Sequence, residues 1–375
     1  MPPVAVDAEI CHALLIDGTP VHIRPITPED DERLVAFHNE LSPESLYMRF
    51  FSAHPRLQPA EVQRFTHVDG RDRMALVATG HDRIIGVARF DRLPDAPDAA
   101  EVAFVVADDY QGRGLGTLLL EHLSACARSR GITSFQAETL VHNAAMQDVF
   151  RHAGFAVHSS LSGGVVEVRM DIRPTEAFVA AVDRRDEKSE VNSVLHLLRP
   201  RTVAVIGAGT GRGGIGHEVF RNILEGGFTG TAYPVRRGGG EVAGHRAYGS
   251  ILDVPEPVDL AVVAVPAAAV AAVVEECAQK QVRDIVLITA GFAEAGEEGR
   301  QAQAAMVGRA RERACGSSVP TAWGSSTRPR RCRSTPPSRR SPPTPAGSLS
   351  PPSRAGSGSP CSRRPAAATS ASPAS

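Results

Sequence analysis

Apolar residues near the start of the chain form short, β-branched runs separated by turn residues, a pattern typical of antiparallel strands. The runs Ala13–Ile16 and Val21–Ile26 flank Asp17-Gly18, a pair that favours a tight hairpin turn. A second hairpin is predicted from Met74–Thr79 and Ile84–Phe90. Three helices are predicted between the hairpins, at residues 28–41, 43–51 and 59–65.

The next stretch alternates between strand and helix periods. A strand at Ala100–Val106 leads into a helix at Gly114–Arg130, and a strand at Ser134–Leu140 leads into a helix at Asn143–Ala153. Two closing strands are predicted at residues 156–159 and 165–170. Hairpins followed by strand–helix units predict an α+β fold with a mixed, mostly antiparallel sheet.

The second half of the chain has a different pattern, in which short and wholly apolar strands alternate with helices. This pattern predicts a parallel, doubly wound, Rossmann-like sheet, so that the chain as a whole is of the α/β class. The predicted strands are Thr202–Ala208, Thr231–Val235, Val258–Val265 and Asp284–Thr289, and the predicted helices are Gly214–Leu224 and Ala267–Gln281. Between the two halves lies a charged segment that is predicted to be a linker or an amphipathic helix.

Composition divides the chain further. After Glu312 there is no Asp, Glu or Lys, and residues 315–375 contain nine Arg among Ser, Pro, Ala, Thr and Gly. Such a tail cannot bury enough apolar surface to offset its chain entropy, so we expect it not to pack. The predicted segments are an extension (1–16), a first domain (17–173), a linker helix (174–199), an incomplete second domain (200–313) and a disordered tail (314–375).

Charge and cysteine usage narrow the class of protein. Without the tail the chain is acidic, which gives no clustered basic face for nucleic acid. No signal peptide and no apolar stretch of about 20 residues is visible, so a cytoplasmic protein with no membrane partner is predicted. The six cysteines lack metal-ligand spacing, and no metal site is predicted. No feature of the sequence specifies an oligomeric state.

A glycine-rich junction follows the strand that ends at Val106. Glycines allow the backbone N–H groups to turn toward a ligand, and the helix N-terminus adds a partial positive charge, so a pyrophosphate can bind there. Tight packing without a ligand is the alternative explanation of such a turn. The junction comprises Gln111, Gly112, Arg113, Gly114, Leu115, Gly116 and Thr117.

The spacing Gln111-x-x-Gly114-x-Gly116 after a strand resembles the acetyl-CoA motif of the GCN5-related N-acetyltransferase (GNAT) superfamily. Asn143-x-x-Met146 and Gly154-Phe155 also agree with it. The resemblance implies that Glu101 is the base that takes the proton of the acceptor amine. The alternative for Glu101 is a solvent-facing strand residue.

The same resemblance assigns further residues. It implies that the N–H groups near Val105 and Val106 polarise the thioester carbonyl. Asn143 is expected to contact the pantetheine arm or a water molecule. Many relatives protonate the leaving thiolate with a tyrosine of the next helix, but residues 143–153 contain no tyrosine.

A second glycine-rich junction follows the first strand of the second half. Its candidate ligand-binding residues are Gly207, Gly209, Gly214, Ile215, Gly216 and Arg236. An NAD site is one alternative, but Arg236-Arg237 ends the next strand where an acid would bind the ribose. The region also resembles the CoA-binding domain of ADP-forming acyl-CoA synthetases, through Tyr233-Pro234-Val235 and Thr289-Ala290-Gly291-Phe292.

The tail suggests a break in the reading frame. The synthetase family continues with a strand ending in Gly-Pro-Asn-Cys, and codons for residues 315–328 can spell that strand when they are read one frame over. A frameshift near Ala314, in the gene or in its sequencing, is therefore one hypothesis, and a real low-complexity tail is the other.

Together the resemblances imply a bacterial protein lysine acetyltransferase. The expected reaction transfers an acetyl group from acetyl-CoA to an amine, with a protein lysine as the partner. Acetylation of a small amine and a non-catalytic CoA-binding fragment are the alternatives. An ADP-forming ligase is disfavoured, because the subdomains with its phosphorylated histidine and its nucleotide-grasp site are absent from the sequence.

Overall fold

The computed structural model describes residues 10–53, 56–211, 213–312 and 316–318. Its first sheet has eight strands in the order β1-β2-β3-β4-β5-β6-β8-β7. Neighbouring strands are antiparallel except β5 and β6, which are parallel. The strands are β1 Cys11–Leu14, β2 Pro20–Pro25, β3 Arg73–Gly80, β4 Arg83–Leu93, β5 Ala96–Val106, β6 Ser134–Leu140, β7 Ala156–Ser162 and β8 Val165–Asp171.

Helices cover both faces of this sheet. The helices are α1 Asp31–Glu40, α2 Pro43–Phe50, α3 Pro59–Thr66, α4 Leu115–Ser129 and α5 Ala144–His152. Val87 and Val105 share a small cavity with residues of α1, α2 and α3, whereas a side chain at Gly86 would meet Leu115 and Leu119 of α4. Because successive strand residues point to opposite faces, α1–α3 lie on one face of the sheet and α4 on the other.

The predicted helix that begins at Pro28 is divided in two. Pro28–Asp30 is a single 3-10 turn, and α1 starts only at Asp31. The cause is Asp30, which turns inward, accepts two hydrogen bonds of 2.6 Å from Arg24 and accepts a third from the N–H of Thr27. Burial raises the pKa of the Asp30 carboxyl, but these hydrogen bonds outweigh burial and hold it below its ordinary value.

The segment predicted as a linker helix is a 23-residue helix, α6, at Glu176–Leu198. Its first half belongs to the core of the first domain, because Phe178 is 1% exposed and stacks on Phe155 with 4.5 Å between the ring centroids. Farther along, Arg185 forms an ion pair with the buried Glu121 of α4. The predicted helix is therefore present, and buried apolar and ionic contacts hold its first half against the first domain.

The second sheet is parallel, with strands in the order β10-β9-β13-β14-β15. One face packs on α7 and the other on α8 and α9, as a doubly wound sheet requires. A hairpin of two short strands that the sequence pattern did not predict precedes β13. The elements are β9 Thr202–Ile206, α7 Ile215–Glu225, β10 Thr231–Val235, β11 Gly240–Val242, β12 His245–Ala247, β13 Leu260–Val263, α8 Ala267–Gln279, β14 Asp284–Leu287, α9 Glu297–Glu312 and β15 Gly316–Ser318.

The strand β15 corrects the expectation that nothing after residue 314 packs, because Gly316–Ser318 pairs in parallel with β14. Backbone hydrogen bonding suffices for such a strand, whatever its side chains. The remainder of the predicted disordered tail, residues 319–375, lies outside the described residues. Within the described ranges, no helix is long and apolar enough to cross a membrane.

Candidate active site

The first sheet opens between β5 and β6. These strands pair only at Ala99–Ser134, Ala100–Phe135 and Glu101–Gln136. Beyond Glu101, β5 continues to Val106 and β6 continues to Leu140 without pairing to each other. We call this opening the strand gap. It leaves the backbone edges of two parallel strands facing each other with hydrogen-bonding groups to satisfy.

The hydrogen bonds on either side of β5 show which backbone groups face the strand gap. Thr133 N–H donates to the carbonyl of Asp98 on the β6 side, and Ala107 N–H donates to the carbonyl of Ile85 on the β4 side. Since N–H and C=O directions alternate along a strand, even-numbered residues of β5 face β6. Phe104 and Val106 therefore direct their N–H groups into the strand gap.

This alternation corrects one expectation. The N–H of Val105 points at β4, where Val105 pairs with Val87, so it cannot polarise a group in the strand gap. The N–H groups of Val106 and Phe104 face the strand gap, and their role toward a carbonyl group stays a prediction. The sequence motif did not show which side of the strand each N–H faces.

Glu101 is exposed and lies at the closed end of the strand gap, as the last residue of β5 that pairs with β6. Its side chain shares the α1–α3 face with those of Ala103 and Val105. Two arginines lie nearby, since the carboxylate of Glu101 acts on Arg49 of α2 and on Arg89 of β4. Burial lowers the pKa of Arg49 to about 10, and the attraction of Glu101 and Asp91 opposes that change.

The glycine-rich junction has the backbone conformation of an anion-binding turn. Gly112 and Gly114 have φ values of +70° and +83°, which residues with a side chain rarely adopt. Helix α4 begins at Leu115, directly after Gly114, and its first-turn N–H groups lack partners within the helix. At Gly116 a Cβ atom would lie 3.2 Å from a methyl group of Val149 of α5, so a side chain there would have to displace Val149 slightly where the two helices meet. Thr117, one residue further, is buried.

The side chains of this junction bind the protein rather than point outward. The Gln111 side-chain amide donates to Ser45 Oγ (2.9 Å) and to the carbonyl of Val106 (3.2 Å). Arg113 Nε lies 2.6 Å from Asp17 Oδ2, in the first hairpin turn, and its guanidinium also donates to Thr19. These two side chains thus anchor the junction within the protein, and the predicted binding of a pyrophosphate by its backbone N–H groups stays a prediction.

Asn143 caps the next helix. Its Oδ1 accepts a hydrogen bond of 3.1 Å from Met146 N–H, which fixes the start of α5. The tyrosine that many GNAT relatives use has no counterpart in α5, where Phe150 is buried and packs edge-on against Phe104 with 6.3 Å between centroids. Tyr110 is buried beneath Arg83 and Arg113, in agreement with a structural role.

Sequence reasoning missed the link between α2 and the glycine-rich junction. Asp108 accepts hydrogen bonds from the Ser42 N–H (2.8 Å), from Ser42 Oγ (2.8 Å) and from Ser45 Oγ (2.6 Å). These contacts hold the start of α2 beside the junction, and Tyr47 of α2 stacks across on His142 at 6.5 Å. The cap Ser42 before Pro43 was a recognisable helix start, but its long-range acceptor was not.

The second glycine-rich junction lies at the carboxyl end of β9, where the strand order reverses between β10 and β13. Ligands of open parallel sheets bind at such a reversal. Gly207 and Gly216 are needed for close backbone approach, because a Cβ would lie 2.2 Å from Ala264 O and 2.3 Å from Gly207 O respectively. Gly209 has open space, and its carbonyl accepts from His217 Nδ1 at 2.9 Å.

The other predicted residues surround the same junction. Gly214 is the N-cap of α7. Ile215, the first residue of α7, is 60% exposed. Arg236 directly follows β10, the neighbour of β9, and its N–H donates to the carbonyl of Tyr248. The described residues contain no cluster of three or more His, Cys, Asp or Glu side chains that could hold a metal ion.

Two family models match the chain. Residues 35–155 match the acetyltransferase (GNAT) family, and residues 201–316 match a CoA-binding domain. Each match includes one of the two glycine-rich junctions.

Curated relatives divide in the same way. Acetate–CoA ligase [ADP-forming] I subunit alpha from Pyrococcus furiosus is 42% identical over 120 residues, covering 31% of this chain and 26% of the relative. The chain thus spans about a quarter of that ligase subunit, and 21% of acetate–CoA ligase [ADP-forming] II from Archaeoglobus fulgidus.

The first domain matches acetyltransferases. Among solved structures, the GNAT domain of S. lividans PAT is 45% identical, with 43% of this chain and 96% of that chain covered and a TM-score of 0.42. Acetyltransferase Pat from Mycolicibacterium smegmatis is 36% identical over 157 residues, covering 41% of this chain and 46% of the relative. Acetyltransferase PA5475 from Pseudomonas aeruginosa is 35% identical over 145 residues, with 38% of this chain and 77% of the relative covered. The chain therefore belongs to the GNAT acetyltransferase family, and it carries a CoA-binding domain after its transferase domain.

Proposed function

We propose that the chain transfers an acetyl group from acetyl-CoA to the ε-amine of a protein lysine. The observation that carries the proposal is the strand gap with the anion-binding turn at its open end. The ligand must place a pyrophosphate at Gly112–Gly116 and a reactive group beside Glu101. It must therefore be charged at one end, with a long and narrow chain that leads from the charged end to the reactive group. Acetyl-CoA has that shape.

The pantetheine arm fits the strand gap chemically. It contains two amides, and the facing edges of β5 and β6 offer backbone donors and acceptors at Phe104 and Val106. An arm lying between the strands would satisfy these groups in the manner of an inserted strand. The thioester would then lie between Glu101 and Phe104, with its carbonyl oxygen accepting a hydrogen bond from the Phe104 N–H.

Glu101 is the base in this proposal. A lysine ammonium has an ordinary pKa of about 10.4 and must lose a proton before its nitrogen can attack the thioester. The carboxylate takes that proton, directly or through one water molecule. The C–N bond forms, the C–S bond breaks, and the thiolate of CoA leaves. A thiol with an ordinary pKa of about 8.5 is a tolerable leaving group without a tyrosine acid.

Arg49 and Arg89 support an amine acceptor on the α1–α3 face. Their positive charges repel the ammonium form of the acceptor amine. This repulsion lowers the pKa of the bound ammonium and favours the neutral nucleophile. The exposed position of Glu101 supports an acceptor that enters from the protein surface. The attached CoA-binding domain supports a protein substrate, since acyl-CoA synthetases carry the same domain, and we assign its junction at Gly207–Gly216 to CoA or a regulatory ligand.

Acetyl transfer by the full chain and by Glu101→Gln tests the proposal. Thiol release from acetyl-CoA is measured with an acyl-CoA synthetase as acceptor and, separately, with small amines. Glu167→Gln, an exposed strand glutamate of β8, is the matched control and should retain wild-type turnover. Glu101→Gln should lose about 100-fold or more in kcat with KM for acetyl-CoA preserved.

Each other outcome has a definite meaning. Full activity of Glu101→Gln at neutral pH removes Glu101 as the base. Turnover of small amines without modification of the protein acceptor replaces the protein substrate by a small one. Absence of turnover with every amine, together with CoA binding, reduces the chain to a CoA-binding fragment.

A further inference from the structure

Strand β7, at Ala156–Ser162, is an edge of the first sheet. Among the described residues its strand partner is β8 alone, and six of its seven residues are exposed. Sheet edges are usually protected by charged residues, proline, a bulge, a short length or a covering element, because their free N–H and C=O groups can pair with another chain. Strand β7 contains no Asp, Glu, Lys, Arg or Pro, and it pairs with β8 without a register shift. It is therefore an unprotected edge.

The hydrogen bonds of β8 show which backbone groups of β7 point outward. Ile172 N–H donates to the carbonyl of Thr133, so the even-numbered residues of β8 bond to β6 and its odd-numbered residues bond to β7. Ser162 pairs with Val165, which places the even-numbered residues of β7 opposite those odd-numbered residues. Because backbone directions alternate along a strand, the odd-numbered residues of β7 direct their N–H and C=O groups beyond the edge of the sheet. These residues are Val157, Ser159 and Leu161.

One face of β7 is apolar and incompletely covered. Val157 and Leu161 share the face of the core, because their partners on β8, Met170 and Val166, pack in that core. Leu161 is nevertheless 70% exposed. The end of β7 thus combines free backbone groups with an apolar side chain that remains largely in water.

The outward groups of β7 match those of a second, antiparallel copy of the same strand. With a two-fold axis beside Ser159, Ser159 stands opposite Ser159 of the second copy, and Leu161 stands opposite Val157 of that copy. Every outward-facing residue then pairs with another outward-facing residue. Each pair exchanges two hydrogen bonds, so the three pairs form about six, a number typical of protein interfaces. Leu161 also gains an apolar neighbour at roughly 5 Å.

The charges beside β7 agree with this pairing. On the polar face His158 lies beside Arg169, and Ser160 lies beside Glu167. The same two-fold axis places His158 opposite Ser160 of the second copy. The residues in that row are, in order, Arg169, His158, Ser160 and Glu167, the last two from the second copy. Like charges are not brought opposite each other, and the match is reciprocal, as an interface between identical copies requires.

We propose that β7 is a self-association edge, at which two copies of this chain pair antiparallel about a two-fold axis beside Ser159. The two eight-stranded sheets then form one continuous sheet across the dimer. The strand gap lies between β5 and β6, on the far side of β8 from β7. Each copy therefore keeps its own candidate active site, and the inference does not depend on the proposed function.

Light scattering and sedimentation of the full chain, over a range of concentrations, test the inference. The wild type should have twice the mass of one chain. Leu161→Lys should raise the dissociation constant of the dimer at least about 10-fold, because each copy places an ammonium beside Val157 of the other. Ser159→Pro should act similarly, since it removes an outward N–H and no bond to β8. Leu198→Lys is the matched control, because Leu198 of α6 is 69% exposed, and this variant should remain a dimer.

Disulfide cross-linking tests the register. The protein for this experiment carries serine in place of Cys315, Cys332 and Cys361. In Ser159→Cys the two introduced thiols belong to directly opposite residues with Cα atoms about 5.5 Å apart, which a disulfide can span. In Ser162→Cys the two thiols lie six residues out of register, roughly 20 Å apart. Mild oxidation should therefore link Ser159→Cys into a covalent dimer and leave Ser162→Cys as single chains.

Three results would overturn the inference: a wild type that is monomeric at every concentration, a dimer that persists in both Leu161→Lys and Ser159→Pro, or a dimer lost only in Leu198→Lys. Circular dichroism shows whether the edge variants are folded. Where they are not, the covalent link in folded Ser159→Cys decides, and its absence contradicts the pairing. Absence of acetyl transfer would contradict the proposed function and leave the self-association edge unaffected.

Discussion

Arg113 Nε and Asp17 Oδ2 lie 2.6 Å apart, so the anion-binding turn before α4 is tied to the hairpin turn between β1 and β2. Ile16 N–H also donates to the carbonyl of Arg113 at 3.2 Å. On the other side, Asn192 of α6 donates to the carbonyl of Ile16 at 2.7 Å. The helix that leads to the second domain is therefore joined to the junction at Gly112–Gly116 through a single turn.

Removing the carboxylate of Asp17 should loosen the anion-binding turn. We expect Asp17→Ala to raise KM for acetyl-CoA about 3- to 10-fold with little change in kcat, because a half-exposed ion pair contributes modestly. Kinetics across a range of acetyl-CoA concentrations measure this change. Asp95→Ala, in an exposed turn, is the control, and equal effects of both variants would contradict the role of Asp17.

The ion pair between Arg113 and Asp17 should be lost only at low pH. Burial raises the pKa of Asp17, but hydrogen bonds from Thr19 and Arg113 outweigh burial and hold the pKa below 3.8. The pair is therefore intact at neutral pH and is lost only as pH falls through that lowered value. Asp17→Ala should accordingly show the same KM defect at pH 6 and at pH 8.

A side chain at Gly18 should displace α6. Gly18 has φ +83°, and a Cβ there would lie 2.4 Å from Ser193 N. Gly164 has nearly the same φ, +84°, but open space around it, so Gly164→Ala should cause only the backbone strain of that positive φ. We expect Gly18→Ala to lower the free energy of unfolding of the first domain by about 1–3 kcal/mol more than Gly164→Ala. Calorimetric unfolding of the two variants measures the difference, and equal midpoints would show that α6 is not packed there.

The stable first domain should include α6. A fragment ending at residue 173, the predicted boundary, loses Phe178, which is 1% exposed. A fragment ending at residue 199 keeps it and should melt several degrees higher, since burying a phenylalanine contributes about 3–5 kcal/mol. In the full chain, Phe178→Ala should reproduce the loss. Equal melting temperatures of the two fragments would support the shorter boundary.

Replacing Asp284 should stabilise the second domain near neutral pH. Burial raises the pKa of this carboxyl to about 6, from an ordinary value of 3.8. The folded chain thus holds a proton that the unfolded chain has lost, so the destabilisation is absent below about pH 4, grows up to about pH 6 and persists above it, reaching at most about 3 kcal/mol. Asp284→Asn should raise the unfolding midpoint at pH 7.5 and remove the pH dependence between 4 and 6. A lower midpoint at pH 7.5 would contradict this prediction.

Gly207 and Gly209 should differ sharply in how well they tolerate substitution by alanine. A Cβ at Gly207 would lie 2.2 Å from Ala264 O, whereas none of the atoms described lies within 4 Å of a Cβ at Gly209. We expect Gly207→Ala to separate β9 from the turn after β13 and to abolish ligand binding by the second domain, with Gly209→Ala nearly neutral for folding. Calorimetric titration with CoA should show one binding site fewer in Gly207→Ala than in Gly209→Ala, and thermal unfolding compares their folding. Loss of folding in both variants would contradict this geometry.

The sequence predicted most elements of both sheets, because their apolar runs and glycine stops are local signals. Ser134–Leu140 and Thr231–Val235 have the bounds that were expected. Contacts between distant residues were not predictable in this way. Asp30 divides its helix by binding Arg24, and α6 becomes part of a core through Phe178, although its charged composition resembles a linker.

The candidate site shows the same division. The motif located the junction at Gln111–Gly116 and indicated Glu101 and Val106, but it could not show that the side chains of Gln111 and Arg113 are occupied within the protein. Those contacts join residues more than 60 positions apart in the chain. The orientation of the Val105 N–H depended on strand register, which has no local sequence signal.

Because β5 pairs with β6 at only three residues, a ligand bound between these strands should also stabilise the folded chain. A ligand that bridges these strands supplies hydrogen bonds that β5 and β6 do not make with each other, in the middle of an eight-stranded sheet. It binds only the folded chain. At a concentration 100 times its dissociation constant, such a ligand adds about 2.7 kcal/mol to the free energy of unfolding by mass action. The lifetime of this protein in a cell should consequently follow the local supply of its own acyl donor.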